Sequence, residues 1–281
     1  MSKIIKNIFL CAVVFNTVYC FAQKSTSLIE AVNTAVNNNQ QIKSANLNIQ
    51  REEALKLKAV NIPRPEIFLE YEGIKGSINN FESRKIGILQ EFEFPSSYFL
   101  RSVVQGSQVL VSKSERDKVI NDLKFEVKQN YYGLLLQSRL LEAAKENLRV
   151  YEDFLFAAQR KYEVGSTSNL EVLAAKVNRV KFENEIKNTE SQIRIFQAEL
   201  KRLMKIDYNI IPSEDFNYRV ISLTKENLLA SAFSRNPELS IVRFQKEKFS
   251  NKISLSKSEL MPSFSMRYYN QKIGTEVGLW G

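Results

Sequence analysis

The 281-residue sequence contains no histidine, two cysteines, one tryptophan, nine glycines and six prolines. Without histidine there is no imidazole acid–base catalysis, no Ser-His-Asp triad and no His-ligated metal. Cys11 and Cys20 both lie in the first twenty residues. Once that segment is lost, no thiol remains for a disulfide, a zinc–cysteine site or a nucleophile. So few glycines and prolines argue against a many-turned sandwich and against a disordered or collagen-like chain. No Gly-rich phosphate loop and no paired-carboxylate motif is present, so neither an enzyme nor a cofactor is expected. Nothing after Gln23 approaches ~18 consecutive apolar residues, so no transmembrane helix is expected.

What is present begins with an export segment. Lys3 and Lys6 precede the apolar run Ile8–Phe15, which is too short to span a bilayer. Cys20-Phe21-Ala22 puts small residues at the −3 and −1 positions, so cleavage is expected before Gln23. The competing reading, a lipidated Cys20, is opposed by the bulky Tyr19 before it. The formal net charge of +9 falls to +7 when Lys3 and Lys6 leave. Lys and Arg are interleaved with Glu and never run five in a row, which fits solvated helix faces rather than a nucleic-acid surface.

Residues 28–59 carry apolar positions at spacings of three and four and are expected to be one helix, stopped by Pro63 and Pro65. Two alternating segments follow, 66–73 and 84–94, joined by a polar loop over 76–83. Ile67, Leu69 and Tyr71 share one face with Ile86, Ile88, Phe92 and Phe94; Glu70, Glu72, Glu91 and Glu93 lie on the other. Each segment has the length a tilted membrane strand needs. From Ser96 to Tyr162 there is no proline, and Val127, Tyr131, Leu134, Leu141, Leu148, Tyr151, Leu155, Ala158 and Tyr162 recur at seam spacing, with one slip near Ala144. About 65 helical residues make a rod of roughly 100 Å. Gly165 is a candidate left-handed cap, and Ser168 with Glu171 a candidate capping box. The returning helix to about 205 is expected to pack through Leu170, Leu173, Val177, Val180, Ile186, Ile193, Phe196, Leu200 and Leu203. Residues 96–205 thus read as an antiparallel hairpin, and 206–224 as a linker loop.

Shifting the C-terminal part back by 197 positions aligns it with the N-terminal part without a gap: Ala232 with Ala35, Asn236 with Asn39, Leu239 with Ile42, Pro262 with Pro65, Tyr268 with Tyr71. This is an internal duplication of helix, proline and strand, with repeats over 23–205 and 225–281. The second copy stops after one strand. The sequence therefore reads as truncated by on the order of 150 residues, and a chain of this length is not expected to assemble.

The hairpin tip, Arg160-Lys161-Tyr162-Glu163-Val164-Gly165-Ser166-Thr167-Ser168-Asn169-Leu170-Glu171-Val172-Leu173, resembles the signature of the TolC-like outer-membrane efflux protein family. Asn236-Pro237-Glu238-Leu239 resembles its N-P-x-L helix start, and Gln90 to Pro95 its Q-x-x-x-F-P strand end. Ser96-Ser97-Tyr98 departs from the Gly-Lys-Arg turn often found after that proline. The resemblance implies a mainly α fold with membrane β-strands: a long antiparallel helical hairpin in an α-barrel, plus strands of a trimeric transmembrane β-barrel. It implies a homotrimer in the outer membrane of a Gram-negative bacterium, with a periplasmic extension. This would be the passive duct of a tripartite efflux pump or type I secretion system, working with a periplasmic adaptor and an inner-membrane pump. Val164, Gly165, Ser166, Thr167 and Ser168 would form the adaptor-docking tip. Glu70, Glu72, Glu91 and Glu93 would face the lumen. The alternative is an exported coiled-coil adaptor or scaffold; lipid-length strands beside proline favour the duct, because an adaptor would carry a compact, Gly-rich β-domain.

Overall fold

The computed structural model describes residues 23–73, 82–216, 224–274 and 278–280. The expected export segment and most of the polar loop lie outside the described residues. The chain gathers into two compact units, one from residues 23–40 and 120–216, the other from 41–119 and 224–280.

The first unit begins with β1 (Gln23–Thr26) and α1 (Leu28–Asn38). Ser27 caps α1, its hydroxyl accepting the Glu30 N–H at 3.2 Å. The unit also holds the distal part of α3 (Pro95–Glu163), all of α4 (Asn169–Met204), and β4 (Asn209–Pro212). β1 and β4 pair in parallel, Gln23 opposite Asn209 through Thr26 opposite Pro212. Both strands escaped the sequence reading, β4 inside what was expected to be a loop. Four residues show no periodicity, and the partner lies far away in sequence. Ala31 and Ala35 bury α1 against α4, where the Asn38 side-chain amide also donates to the Met204 carbonyl at 2.9 Å. Tyr131 is fully buried, and its hydroxyl donates to the Thr26 carbonyl at 2.9 Å, tying α3 to β1. Burial pushes the Tyr131 phenol pKa up.

Along the hairpin Val127, Tyr131, Leu134, Leu155 and Ala158 are buried as the spacing predicts, with Ala144 at the slip. Tyr162 is exposed. Tyr151 stacks on Phe182 across the hairpin, centroids 5.2 Å apart. The returning face differs from expectation. Leu155 and Ala158 close on Val172 and Ala175, while Leu170, Leu173, Val177 and Val180 point outward, each about half exposed or more. The first turns of α4 carry two apolar stripes, and the smaller side chains took the intramolecular contact because they permit close helix approach.

The expected single helix over 28–59 is two. α1 ends at Asn38, with Asn39 as its cap in extended backbone (φ −69°, ψ 124°), and α2 (Gln40–Lys58) begins at once. The same break falls at Asn236 (φ −74°, ψ 117°), between α5 (Lys225–Arg235) and α6 (Pro237–Ser258). There the Asn236 side-chain oxygen accepts the Glu238 N–H at 2.8 Å, with Pro237 in the first helical turn. Moved by 197 residues, α1 coincides with α5 and the Ser27 cap with the Thr224 cap.

α2, the start of α3 and α6 are joined by a polar seam. Gln105 donates to the buried Glu52 carboxylate at 2.6 Å, and the Asn251 amide to Ser107 at 3.0 Å. The Asn48 amide donates to Ser112 at 3.4 Å, and Lys248 to Gln108 at 2.9 Å. The Arg51 guanidinium, 2.5 Å away, holds the Glu52 carboxyl below the usual carboxylate range despite burial, with Gln105 and Lys248 assisting.

The sheet is antiparallel in the order β2 (Glu66–Glu72), β3 (Ser83–Phe92), β5 (Phe264–Ile273), β6 (Leu279–Trp280). Ile67 lies opposite Ile88 and Leu69 opposite Ile86; Ile88 in turn meets Tyr268 and Phe92 meets Phe264. Gly87 lies opposite Tyr269, and a Cβ there would come within 2.3 Å of the Tyr268 carbonyl oxygen.

Two outcomes follow from this packing. Tyr131→Phe keeps the ring but removes its bond to Thr26, and is expected to lower stability by about 0.5–1.5 kcal/mol in urea unfolding. Because the folded Glu52 pKa is depressed, its stabilisation is present above the unfolded value near ~4.3 and is lost as pH falls through the lower folded value. An acid titration of Glu52→Gln followed by circular dichroism is therefore expected to show a shallower loss of helix below about pH 4 than the parent.

Candidate functional site

Two surfaces carry the residues singled out by sequence: the hairpin tip in the first unit and the sheet in the second.

At the tip α3 closes on a Schellman motif. The Ser166 N–H donates to the Lys161 carbonyl at 2.7 Å and the Gly165 N–H to the Tyr162 carbonyl at 3.0 Å. Gly165 sits at φ +74° with open space where a Cβ would be, so backbone conformation alone selects glycine there. The expected capping box is not formed as written. Ser168 occupies the N-cap with extended backbone, but its side chain makes no cap hydrogen bond. Thr167 instead donates its hydroxyl to the Glu171 carboxylate, one residue earlier than the motif predicts. Val164, Gly165, Ser166 and Ser168 are exposed and Thr167 half-buried. Val164, at 77% exposure, and Leu170, at 74%, form an apolar crown on the turn. Arg160 lies over the Phe156 ring at 5.4 Å, just below it.

The structure does not gather the four carboxylates into a bare acidic cluster. Glu70 meets Arg267 at 3.4 Å, and Arg267 also covers the Phe68 ring at 4.8 Å. Glu72 pairs with Lys85 at 2.9 Å. Glu91 is exposed on the same face as Glu70 and Glu72. Glu93 lies beyond the end of β3, where the chain turns into α3, and binds Arg101 at 2.5 Å. Arg101 also faces Glu259 at 3.8 Å, and the Glu93 hydrogen bond raises the guanidinium pKa further. These cations escaped the sequence reading because Arg267 and Arg101 reach their carboxylates across strand and helix boundaries.

The Ser96-Ser97-Tyr98 departure is itself structured. The Ser97 hydroxyl lies 3.0 Å from that of Ser258, Ser96 also meets Ser258, and Tyr98 accepts the Glu93 N–H at 3.0 Å. Gln90 reaches back to the Pro63 carbonyl at 2.8 Å, which explains the glutamine of the strand-end motif. Among the described residues no group of three or more His, Cys, Asp or Glu side chains could hold a metal ion. Among the described helices, none is long and apolar enough to cross a membrane.

Comparison with known proteins fits this geometry. Residues 102–204, nearly the whole hairpin, match the family model described as outer membrane efflux protein. No curated protein matches in sequence. Among solved structures the chain is similar to CusC, with a TM-score of 0.71 and 15% identity over 94% of this chain and 67% of that one. It is similar to VceC of Vibrio cholerae, with a TM-score of 0.64 and 13% identity over 90% and 66%. It is also similar to CmeC of Campylobacter jejuni, with a TM-score of 0.63 and 13% identity over 90% and 59%. The chain thus spans about two-thirds or less of the length of these channels. The expected resemblance is borne out: the hairpin matches the outer membrane efflux family, and the chain shares the fold of TolC-like channels. The outer-membrane location that the resemblance implies agrees with the family match.

Gly165→Ala is expected to cost the hairpin about 1 kcal/mol through its left-handed backbone, with no steric part. Thermal unfolding checks the size, and Gly165→Asn should recover part of the loss.

Proposed function

We propose that this chain is the outer-membrane channel-tunnel component of a tripartite efflux pump or type I secretion system, a passive duct that performs no chemistry. The observation that carries the reading is the segregation of the sheet. One face presents Ile67, Leu69, Ile86, Ile88, Met266 and Tyr268 to the outside, each 45–82% exposed. The other carries Glu70, Glu72, Lys85, Glu91 and Arg267. A strand set polar on one face and apolar on the other suits a barrel wall between water and lipid. A compact adaptor β-domain has no use for so much exposed aliphatic surface.

In this reading the apolar face meets lipid, and neighbouring copies supply the strands that close the barrel in a homotrimer. The outward stripe of Leu170, Leu173, Val177 and Val180 supports assembly, since an unpartnered apolar row of this kind marks an interaction surface. Val164 and Leu170, with Gly165, Ser166, Thr167 and Ser168, form the surface that docks the periplasmic adaptor. Glu70, Glu72 and Glu91 face the lumen and Glu93 the helix-ward mouth. Arg267, Lys85 and Arg101 pair with three of these four carboxylates, so a polar, unselective lumen fits better than a cation filter.

Ile88→Arg, near mid-strand on the lipid face, is expected to cost about 2–4 kcal/mol and deplete the outer-membrane fraction, whereas Leu89→Arg on the opposite face is tolerated. Equal depletion by both would overturn the assignment of faces. Val164→Asp is expected to cut adaptor cross-linking and export at least about tenfold while leaving the membrane-inserted form intact. Unchanged cross-linking would remove the tip from the docking role.

A further inference from the structure

α3 carries two glycines, Gly106 and Gly133, and packing within the chain explains only the second. A glycine inside a helix forgoes stability that alanine would supply, because its backbone has more freedom to lose. At Gly133 the reason is contact: the Phe196 ring lies 2.5 Å from where a Cβ would stand. At Gly106 the nearest group beyond the helix is the end of the Lys56 side chain, 3.7 Å from the same position, so an alanine would fit. The surroundings of Gly106 supply a different reason for it.

Gly106 lies on the floor of a groove of about 380 Å³. α3 forms that floor with Val103, Gly106 and Leu110, which follow one another at spacings of three and four on one helix face. α2 forms one bank and α6 the other, each held to α3 by the polar seam. On the α2 bank Glu53 is neutralised by Lys113 at 3.0 Å, whereas Lys56 has no ion-pair partner among the described residues. On the α6 bank Glu247 has none among them either. A cation and an anion thus line opposite banks of an apolar floor. Packed helix axes lie about 8–10 Å apart, so groups on the two banks flanking α3 stand farther apart than the two charges of a single amino acid. Two or three residues of extended chain, at about 3.3–3.6 Å each, cover such a span. A floor without a Cβ lets a peptide backbone come close.

We propose that this groove binds a zwitterionic peptide of two or three residues. Its terminal carboxylate sits on Lys56, its terminal ammonium on Glu247 and its backbone over Gly106, with Val103 and Leu110 beneath its side chains. The site lies wholly within the second unit and does not depend on the membrane reading above.

The test is calorimetric titration of the full chain in detergent with alanyl-leucyl-alanine, beside its N-acetylated and C-amidated forms. The free peptide is expected to bind at one site, and loss of either terminal charge to weaken it about fivefold. K56Q is expected to weaken the free peptide about fivefold and to leave the amide unchanged; E247Q should weaken the free peptide equally and leave the acetylated form unchanged. Gly106→Ala should raise the melting temperature while weakening the peptide, two effects that a glycine kept only for folding would not separate. Gly106→Leu should abolish binding; if it misfolds, the alanine variant and the two charge variants decide. No saturable binding by the parent overturns the site. Equal affinity for the free, acetylated and amidated peptides overturns the zwitterion assignment, as does equal weakening of acid and amide by K56Q. If Gly106→Cys is shielded from a thiol label by assembly with another copy, and the peptide does not alter its labelling, the groove is a contact between chains and the peptide site is overturned.

Discussion

A strand in hydrocarbon has to pair on both sides, and the rest of this structure follows from that demand. Unpaired N–H and C=O groups at a sheet edge have no water to turn to in a bilayer, and each costs several kcal/mol. Among the described residues β2 pairs with β3 alone, and β5 pairs with β3 along one edge and with the two residues of β6 along the other. So narrow a sheet cannot curl onto itself. In the proposed membrane setting such strands need further strands beside them to close a wall. The aliphatic face, the polar face and the second apolar stripe on α4 are surfaces that such a closure would use.

The two compact units hold together by different chemistry. The first relies on apolar burial around Val127, Leu134, Leu200 and Met204, with Tyr131 as its polar anchor. The second joins its helices through serines, amides and the buried Glu52. Small hydroxyls allow close helix approach while satisfying each other, so the polar seam fixes helix register through paired atoms rather than through bulk. A carboxylate in that seam ties the stability of this unit to pH through the depressed Glu52 pKa.

Much of the architecture was legible in the sequence because its signals are long. Sixty-nine helical residues without an internal proline, a glycine at the turn and period-two alternation beside prolines all act locally. What escaped was either short or distant. The four-residue strands β1 and β4 have no period to detect. The helix break at Asn39 was hidden because Asn39 continues an apparently helical pattern; its counterpart Asn236, followed by proline, announced the same break openly. Of the site, the tip was readable down to its left-handed glycine, but not the hydrogen bond that Thr167 makes in place of Ser168. Glu70, Glu72 and Glu91 share one face of the sheet as the alternation predicts, while the basic partners of Glu70, Glu72 and Glu93 could be found only in three dimensions.

One of those partnerships also records history. Glu70 and Arg267 are separated by 197 residues, the offset of the internal repeat, so they occupy the same position in its two copies. Arg267 reaches across β3 to Phe68 and Glu70. Identical copies would carry the same residue at both positions, and two equal residues cannot form an ion pair. The difference between the copies at this position supplies the opposite charges. The two halves of the duplication have thereby become distinguishable to each other: a first-copy strand beside a second-copy strand gains an attraction that two equal copies could not share. A symmetric ancestor would have had no such means of ordering its strands.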